Sequence, residues 1–149
     1  MIQRKQTIFL LISVVFYALT FAFPFGNIGD IELHNYAAVN AEGVKTEGIS
    51  HYFFSACLSV AAIISFISIF LYKNRHQQMS VLRLSFIFFA ASFALLALYI
   101  KSASTVIQQG AFSFGISFFL PFGSFLLNML ALRSIRKDEQ LVKSLDRLR

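Results

Sequence analysis

Three side chains that commonly bind metal ions stand at alternate positions near residue 30. Asp30, Glu32 and His34 form an Asp-x-Glu-x-His pattern, and His51 follows later in the chain. In a β-strand every second side chain lies on the same face, so these donors would converge on a metal ion if the chain folds back. The spacing matches no established metal motif. A solvated loop is therefore the favoured interpretation, and a metal site is the alternative.

The remaining sequence offers little else that is suited to catalysis. It contains no Ser/His/Asp constellation, no phosphate-binding glycine loop and no His-Glu-x-x-His motif. Cys57 is the only cysteine, so neither an intrachain disulfide nor a Cys-based metal site can form. We therefore expect a protein that is not an enzyme and that uses no cofactor.

Polar side chains recur at helical spacing inside apolar segments. Steps of four, four, three and four place one set on a narrow helical face: Ser113, Ser117, Pro121, Ser124 and Asn128. An earlier segment repeats the pattern with Ser13, Tyr17, Thr20 and Pro24. Two further faces carry Ser55, Ser59 and Ala62, and Ser85, Ser92 and Tyr99.

Two interpretations of these polar faces are open. The favoured one is helix packing, because membrane helices associate through small residues and hydrogen bonds between helices. The alternative is a polar groove for a small ligand or a lipid headgroup. Charged residues inside the segments, which ion-coupled transport usually needs, are missing. Pro121 is expected to kink the fourth helix in the middle of the membrane, within a plain bundle rather than a binding site.

Four long apolar segments contain these faces. They cover approximately residues 7–25, 52–72, 81–100 and 111–132, and each is close to the ~20 residues that a helix needs to cross a bilayer. The first exceeds the usual ~7–15 apolar residues of a signal peptide and is expected to remain as a span. Only 13% of the residues are charged, against about 25% in soluble domains. The sequence thus predicts an all-α integral membrane protein, a four-helix transmembrane bundle forming one domain over residues 1–149.

Basic residues are distributed unevenly between the two ends of these segments. Of the thirteen Lys and Arg residues, only Lys45 and Lys101 fall on the side that holds the first and third connections. Basic residues near span ends remain in the cytoplasm. This predicts a multi-pass protein of the cytoplasmic membrane with both termini inside. The same asymmetry accounts for the net charge of +6 without a nucleic-acid partner.

Two segments outside the spans have patterns of their own. The outer loop, 26–51, alternates over 31–36 and is predicted to form a small β-hairpin with a return strand at 44–47. The segment 133–149 has an apolar stripe among basic residues: Leu141, Val142, Leu145 and Leu148. We expect a cytoplasmic amphipathic helix that lies in the inner headgroup layer or, alternatively, docks a partner protein.

The most distinctive sequence motifs lie at the two ends of the chain. The start MIQRKQT and the end IRKDEQLVKSLDRLR resemble those of a bacterial family of small four-span membrane proteins, domain of unknown function 4293. The resemblance covers the full length and implies the four-span architecture. It assigns no activity and gives no residue a role.

Taken together, these features predict a non-enzymatic accessory or interaction protein of the bacterial cytoplasmic membrane. Its expected partners are membrane lipids and either another protein or a second copy of itself, contacted through the spans or the tail. A small oligomeric transporter or lipid-binding protein that uses the polar faces is the second hypothesis. A metal-dependent activity at the outer loop is the third.

Overall fold

The protein is mostly helical, with a small β-sheet at one end. The computed structural model describes residues 3–40, 43, 52–107 and 110–146, without the side chains of 3–5, 143 and 145–146. Its helices are α1 (Gln3–Ala22), α2 (Tyr52–Phe70), α3 (Arg75–Ile107) and α4 (Leu120–Asp146). Its strands are β1 (Gly26–Ile28), β2 (Ile31–Leu33), β3 (Ala38–Asn40) and β4 (Phe112–Phe114). Short 3₁₀ turns cover Leu71–Lys73 and Ile116–Phe118.

The helices form an antiparallel four-helix bundle because each buries one face at alternating steps of three and four. In α1 this face is Gln6, Leu10, Ser13, Tyr17 and Thr20. In α3 it is Leu82, Ser85, Phe89, Ser92, Leu96, Tyr99 and Ala103. Such spacing is typical of the left-handed packing of helix bundles. Helix α1 packs mainly against α4 and α2 mainly against α3, and lesser α1–α2 and α3–α4 contacts close the ring.

The sheet joins the two connections at one end of the bundle. All its strands are antiparallel, in the order β3-β2-β1-β4. Gly29, with φ 58°, begins the two-residue turn between β1 and β2, a position that favours glycine in hairpins. Strand β4 precedes α4, with one 3₁₀ turn between them, and pairs with β1, which follows α1. The start of α4 is thereby fixed beside the end of α1.

The sheet corrects the expectation of an all-α fold. A hairpin was expected in this loop, and β2 lies within the predicted strand 31–36, but β2 pairs with β1 and β3. The predicted return strand, 44–47, lies outside the described residues. Strands of three residues are too short for local alternation to reveal all of them, and the sheet is completed when β1 pairs with the distant β4.

The fourth predicted segment also differs from the structure. Residues 111–119 form β4 and a 3₁₀ turn, and α4 begins only at Leu120. The predicted kink at Pro121 is therefore wrong, because this proline lies in the first helical turn, where its missing N–H has no intrahelical partner to lose. Helix α4 then continues to Asp146, so the described part of the predicted tail is the end of this helix and not a separate element. Leu148 lies outside the described residues, as does the side chain of Leu145.

Three helices in the described part of the chain are long and apolar enough to cross a membrane. They extend over Tyr52–Lys73, Arg75–Ile107 and Ile116–Val142 when the adjoining 3₁₀ turns are included. Helix α1 contributes a shorter apolar stretch, Gln6–Ala22. These lengths and compositions indicate a membrane protein.

Candidate functional site

The core consists of two apolar clusters with a polar layer between them. The cluster near the sheet includes Phe25, Leu58 and Tyr99, and the cluster at the opposite end includes Leu10, Leu82 and Ile135. Between them each helix contributes small polar residues that are completely buried: Ser13, Ser65, Ser68, Ser85, Ser92, Ser124 and Asn128. We call these seven residues the central polar layer. It is the strongest candidate for a site within the bundle.

Helices α1 and α4 are joined by reciprocal hydrogen bonds in this layer. The Ser13 hydroxyl donates to the Ser124 carbonyl oxygen (3.2 Å), and the Ser124 hydroxyl donates to the Ser13 carbonyl oxygen (3.0 Å). Two turns nearer the sheet, the Ser117 hydroxyl donates to the Thr20 carbonyl oxygen (3.1 Å). Small side chains let the backbones approach closely enough for these contacts. Gly123 contributes to this approach, because a Cβ there would lie 2.7 Å from the Phe16 ring.

Asn128 connects α4 to α2. Its Nδ2 donates to the Ser65 hydroxyl oxygen (2.9 Å), and that hydroxyl donates to the Ala61 carbonyl oxygen (2.9 Å). The Ser68 hydroxyl donates to the carbonyl oxygen of Ser65 (2.7 Å). Asn128 Oδ1 is buried and has no hydrogen-bond partner among the residues that the structure describes. This amide is therefore only half satisfied.

A buried polar contact also closes the end of the bundle opposite the sheet. Gln6 Nε2 donates to Asp138 Oδ2, and both residues are buried. At the same end of the bundle, Gln78 Nε2 donates to the Ser68 carbonyl oxygen (2.9 Å) and connects the start of α3 to α2. Gln6 and Asp138 lie on the same faces of α1 and α4 as Ser13 and Ser124. The α1–α4 contact is thus polar at its end as well as at its centre.

The candidate metal ligands lie at the sheet and are not all solvated. His34 is buried against the ring of Tyr36, with 5.0 Å between ring centroids, and its Nε2 lies 3.2 Å from Glu32 Oε2. Asp30 is exposed in the β1–β2 turn, and His51 lies outside the described residues. Within the described ranges no three His, Cys, Asp or Glu residues are grouped so as to hold a metal ion. The solvated-loop interpretation is wrong for His34, because its ring packs against Tyr36 and is buried.

Hydrogen bonds hold the connection between β2 and β3 to the nearby ends of the helices. Asn35 donates through Nδ2 to the Thr20 carbonyl oxygen, and the Ser55 hydroxyl donates to the Asn35 carbonyl oxygen. The Tyr99 hydroxyl donates to the His34 carbonyl oxygen (3.3 Å). The sheet therefore closes one end of the bundle rather than forming a detached loop.

The structure divides the predicted polar face of the fourth segment. Ser117, Pro121, Ser124 and Asn128 are buried towards the other helices, whereas Ser113 is exposed on β4. Ser13, Tyr17 and Thr20 are buried on α1. The polar face predicted for α3 is buried as well, since it consists of Ser85, Ser92 and Tyr99.

Sequence reasoning missed two members of the central polar layer, Ser65 and Ser68. The face proposed for the second segment was Ser55, Ser59 and Ala62, which are only half-buried. The buried face of α2 is Phe54, Leu58, Ala61, Ser65 and Ser68. It has the same three-and-four spacing, shifted by one residue. Serines are so frequent in this helix that two adjacent faces fit the spacing equally well.

Comparison with known proteins identifies a family without assigning an activity. A family model described as "Domain of unknown function (DUF4293)" matches residues 2–148. The match confirms the resemblance seen at the two ends of the sequence. No curated protein matches the chain.

Proposed function

We propose that this chain, which belongs to the DUF4293 family, is a non-enzymatic accessory protein that crosses the bacterial cytoplasmic membrane four times and acts through contacts with a partner protein. Four points support this proposal: the exterior of the bundle, the distribution of charge, the length of α1 and the use made of the buried polar groups.

The exterior of the bundle favours insertion in a bilayer. Large aliphatic side chains point outward near the middle of the helices, including Ile63, Ile87, Leu98 and Leu126, each more than half exposed. Soluble proteins rarely leave such side chains in a continuous apolar surface. In a bilayer these side chains can face outward without a free-energy cost, because lipid tails are as apolar as they are.

The length of α1 supports a fourth span. Its 20 residues extend for roughly 30 Å at 1.5 Å per residue, which matches the thickness of the hydrocarbon layer. Its polar contacts with α4 show that the two helices are antiparallel. Helix α1 therefore extends from one end of the bundle to the other.

The charge distribution supports an orientation with both termini in the cytoplasm. The end opposite the sheet carries Lys73 and Arg75 at the α2–α3 connection and Arg133, Arg136 and Lys137 on α4. Such enrichment of basic residues is typical of the cytoplasmic side. The sheet would then lie on the outer side.

The observation that carries the accessory role is the use of the buried polar groups by the bundle itself. Ser13, Ser117 and Ser124 each donate to a backbone carbonyl of a neighbouring helix, and Asn128 donates to Ser65. These groups connect helices, and a transported ligand would have to break the connections. What the bundle presents to other molecules is its outer surface.

The transporter hypothesis has one observation in its favour, the unpartnered Oδ1 of Asn128. A ligand that donates a hydrogen bond would satisfy it. However, the open volume found beside α1 and α2 is lined by none of the central polar layer. The proposal of an accessory protein is therefore preferred.

Topology is tested with single cysteines in cells. After Cys57→Ser, Asp30→Cys in the β1–β2 turn and Ser144→Cys near the end of α4 are labelled with an impermeant thiol reagent on spheroplasts. Labelling of the first and not the second is expected, and both should react once the cells are lysed. Labelling of the second alone would reverse the orientation, and labelling of both on spheroplasts would contradict the four-span arrangement.

The accessory role is tested by photo-crosslinking in living cells. A photoreactive amino acid is placed at the exposed position Leu126 on α4 or Ile63 on α2, with the buried Leu58 as matched control. A discrete protein adduct at one exposed position, absent at Leu58, is the expected result. Crosslinking to lipid alone at every exposed position would contradict a protein partner.

A further inference from the structure

A groove lies on the outer surface of the bundle between α1 and the end of α2. Its volume is about 680 Å³. Residues from the first half of α1 form one wall, and the last turn of α2 with the following 3₁₀ turn forms the other: Ile8, Leu11, Ile12, Ile69, Phe70 and Tyr72. Most of these side chains are exposed, Phe70 to 66%. The groove is therefore an apolar channel that opens towards the surroundings of the bundle.

The groove is short and ends where the apolar surface gives way to positive charge. On α1 it extends over residues 7–12, roughly 8 Å at 1.5 Å per residue. A transmembrane helix of a partner would need a complementary face along most of the ~30 Å hydrocarbon layer. A single acyl chain needs only a local channel. The dimensions therefore favour a lipid chain as the occupant.

Two basic residues follow the last lining residue of the groove along the chain. Tyr72 lines the groove, Lys73 follows it and is exposed, and Arg75 begins α3 two residues later. The Nη1 atom of Arg75 is buried and has no hydrogen-bond partner in the described part of the chain. Guanidinium groups bind phosphate oxygens strongly, and tyrosine is enriched at the depth of lipid headgroups.

We propose that this groove is a specific site for an anionic phospholipid, with an acyl chain against Ile8, Leu11 and Phe70 and the phosphate bound by Lys73 and Arg75. The proposal rests on membrane insertion, as proposed above, but not on the accessory role. It differs from binding through the polar faces, because none of the central polar layer lines the groove. Under the proposed orientation the lipid belongs to the cytoplasmic leaflet.

The test uses the purified full-length chain in neutral detergent and native mass spectrometry. Phosphatidylglycerol and phosphatidylcholine with identical acyl chains are added in turn, and bound lipids are counted. One phosphatidylglycerol should bind at least about tenfold more tightly than phosphatidylcholine, equivalent to ~1.4 kcal/mol. Lys73→Gln with Arg75→Gln should remove that preference. The matched control Arg133→Gln, an exposed basic residue at the same end on α4, should keep it.

A second variant tests the acyl channel independently of charge. Leu11→Trp fills the groove, whereas Ile63→Trp adds the same bulk to an exposed position on α2 outside it. Only Leu11→Trp should reduce phosphatidylglycerol binding, and circular dichroism should show the same helix content in both.

Equal binding of the two lipids, or equal loss with Arg133→Gln, would overturn the site. A failed topology test would instead overturn the proposed orientation or the four-span arrangement and would leave lipid selectivity at the groove unaffected, which keeps the two failures distinguishable.

Discussion

The half-satisfied amide of Asn128 predicts that removing its partner, Ser65, destabilises the protein more than removing the amide itself. Ser65→Ala removes the acceptor of Asn128 Nδ2. The loss combines one membrane hydrogen bond, worth about 0.6–2 kcal/mol, with the cost of a buried polar group left unpaired, about 1–3 kcal/mol. We expect Ser65→Ala to lower the free energy of unfolding by about 2–5 kcal/mol on these values.

Asn128→Leu should be much less harmful. It loses the same hydrogen bond, but it also removes Oδ1, which is already buried without a partner. These contributions oppose each other, so the free energy of unfolding should stay within about 1 kcal/mol of the natural protein. Once Asn128 is replaced, Ser65→Ala no longer leaves an amide unpaired. The double variant should therefore be more stable than Ser65→Ala alone, with a coupling of about 1–3 kcal/mol.

The assay is equilibrium unfolding of the full chain in mixed micelles, with the mole fraction of a denaturing detergent raised and helix content followed by circular dichroism. Ser92→Ala is the matched control, because the Ser92 hydroxyl is buried but donates only to the Phe89 carbonyl oxygen of its own helix (2.7 Å). It should change stability less than Ser65→Ala. If Asn128→Leu proves the more harmful substitution, or the double variant is less stable than Ser65→Ala, the reasoning about the unpaired Oδ1 is refuted.

Two further predictions concern the contact between α1 and α4, both measured by the same unfolding assay. Gly123→Ala should destabilise the protein by about 1–3 kcal/mol, because its Cβ would overlap the Phe16 ring, and Phe16→Leu should restore part of the loss; an unchanged stability would contradict the close approach. Pro121→Ala should be slightly destabilising, by about 0.4–1 kcal/mol, because proline in the first turn restricts the unfolded chain; a marked stabilisation would instead indicate a strained proline inside the helix.

The fourth segment shows how far a local pattern can be trusted. From its spacing of small and polar residues, Ser117, Ser124 and Asn128 were predicted to share one face, and all three are buried. The same spacing wrongly extended the helix back to Ser113, because the residues of β4 are as apolar as those of a span. What ends the helix is the pairing of β4 with β1, and Ser113 donates to the Asn27 carbonyl oxygen 86 positions away (3.4 Å). No local pattern contains that partner.

The long apolar segments, their approximate lengths and the asymmetry of basic residues are properties of the sequence alone, since transfer from water to hydrocarbon depends on composition over a window of ~20 residues. The three-and-four spacing of polar residues on α1 and their seven-residue repeat on α3 also indicated which faces would pack. Only the tertiary structure decided which of two adjacent serine faces of α2 is buried, that His34 is covered, and that the two connections form one sheet. Each of these depends on a partner from a distant part of the chain, and packing and hydrogen bonding select that partner only after the helices have assembled.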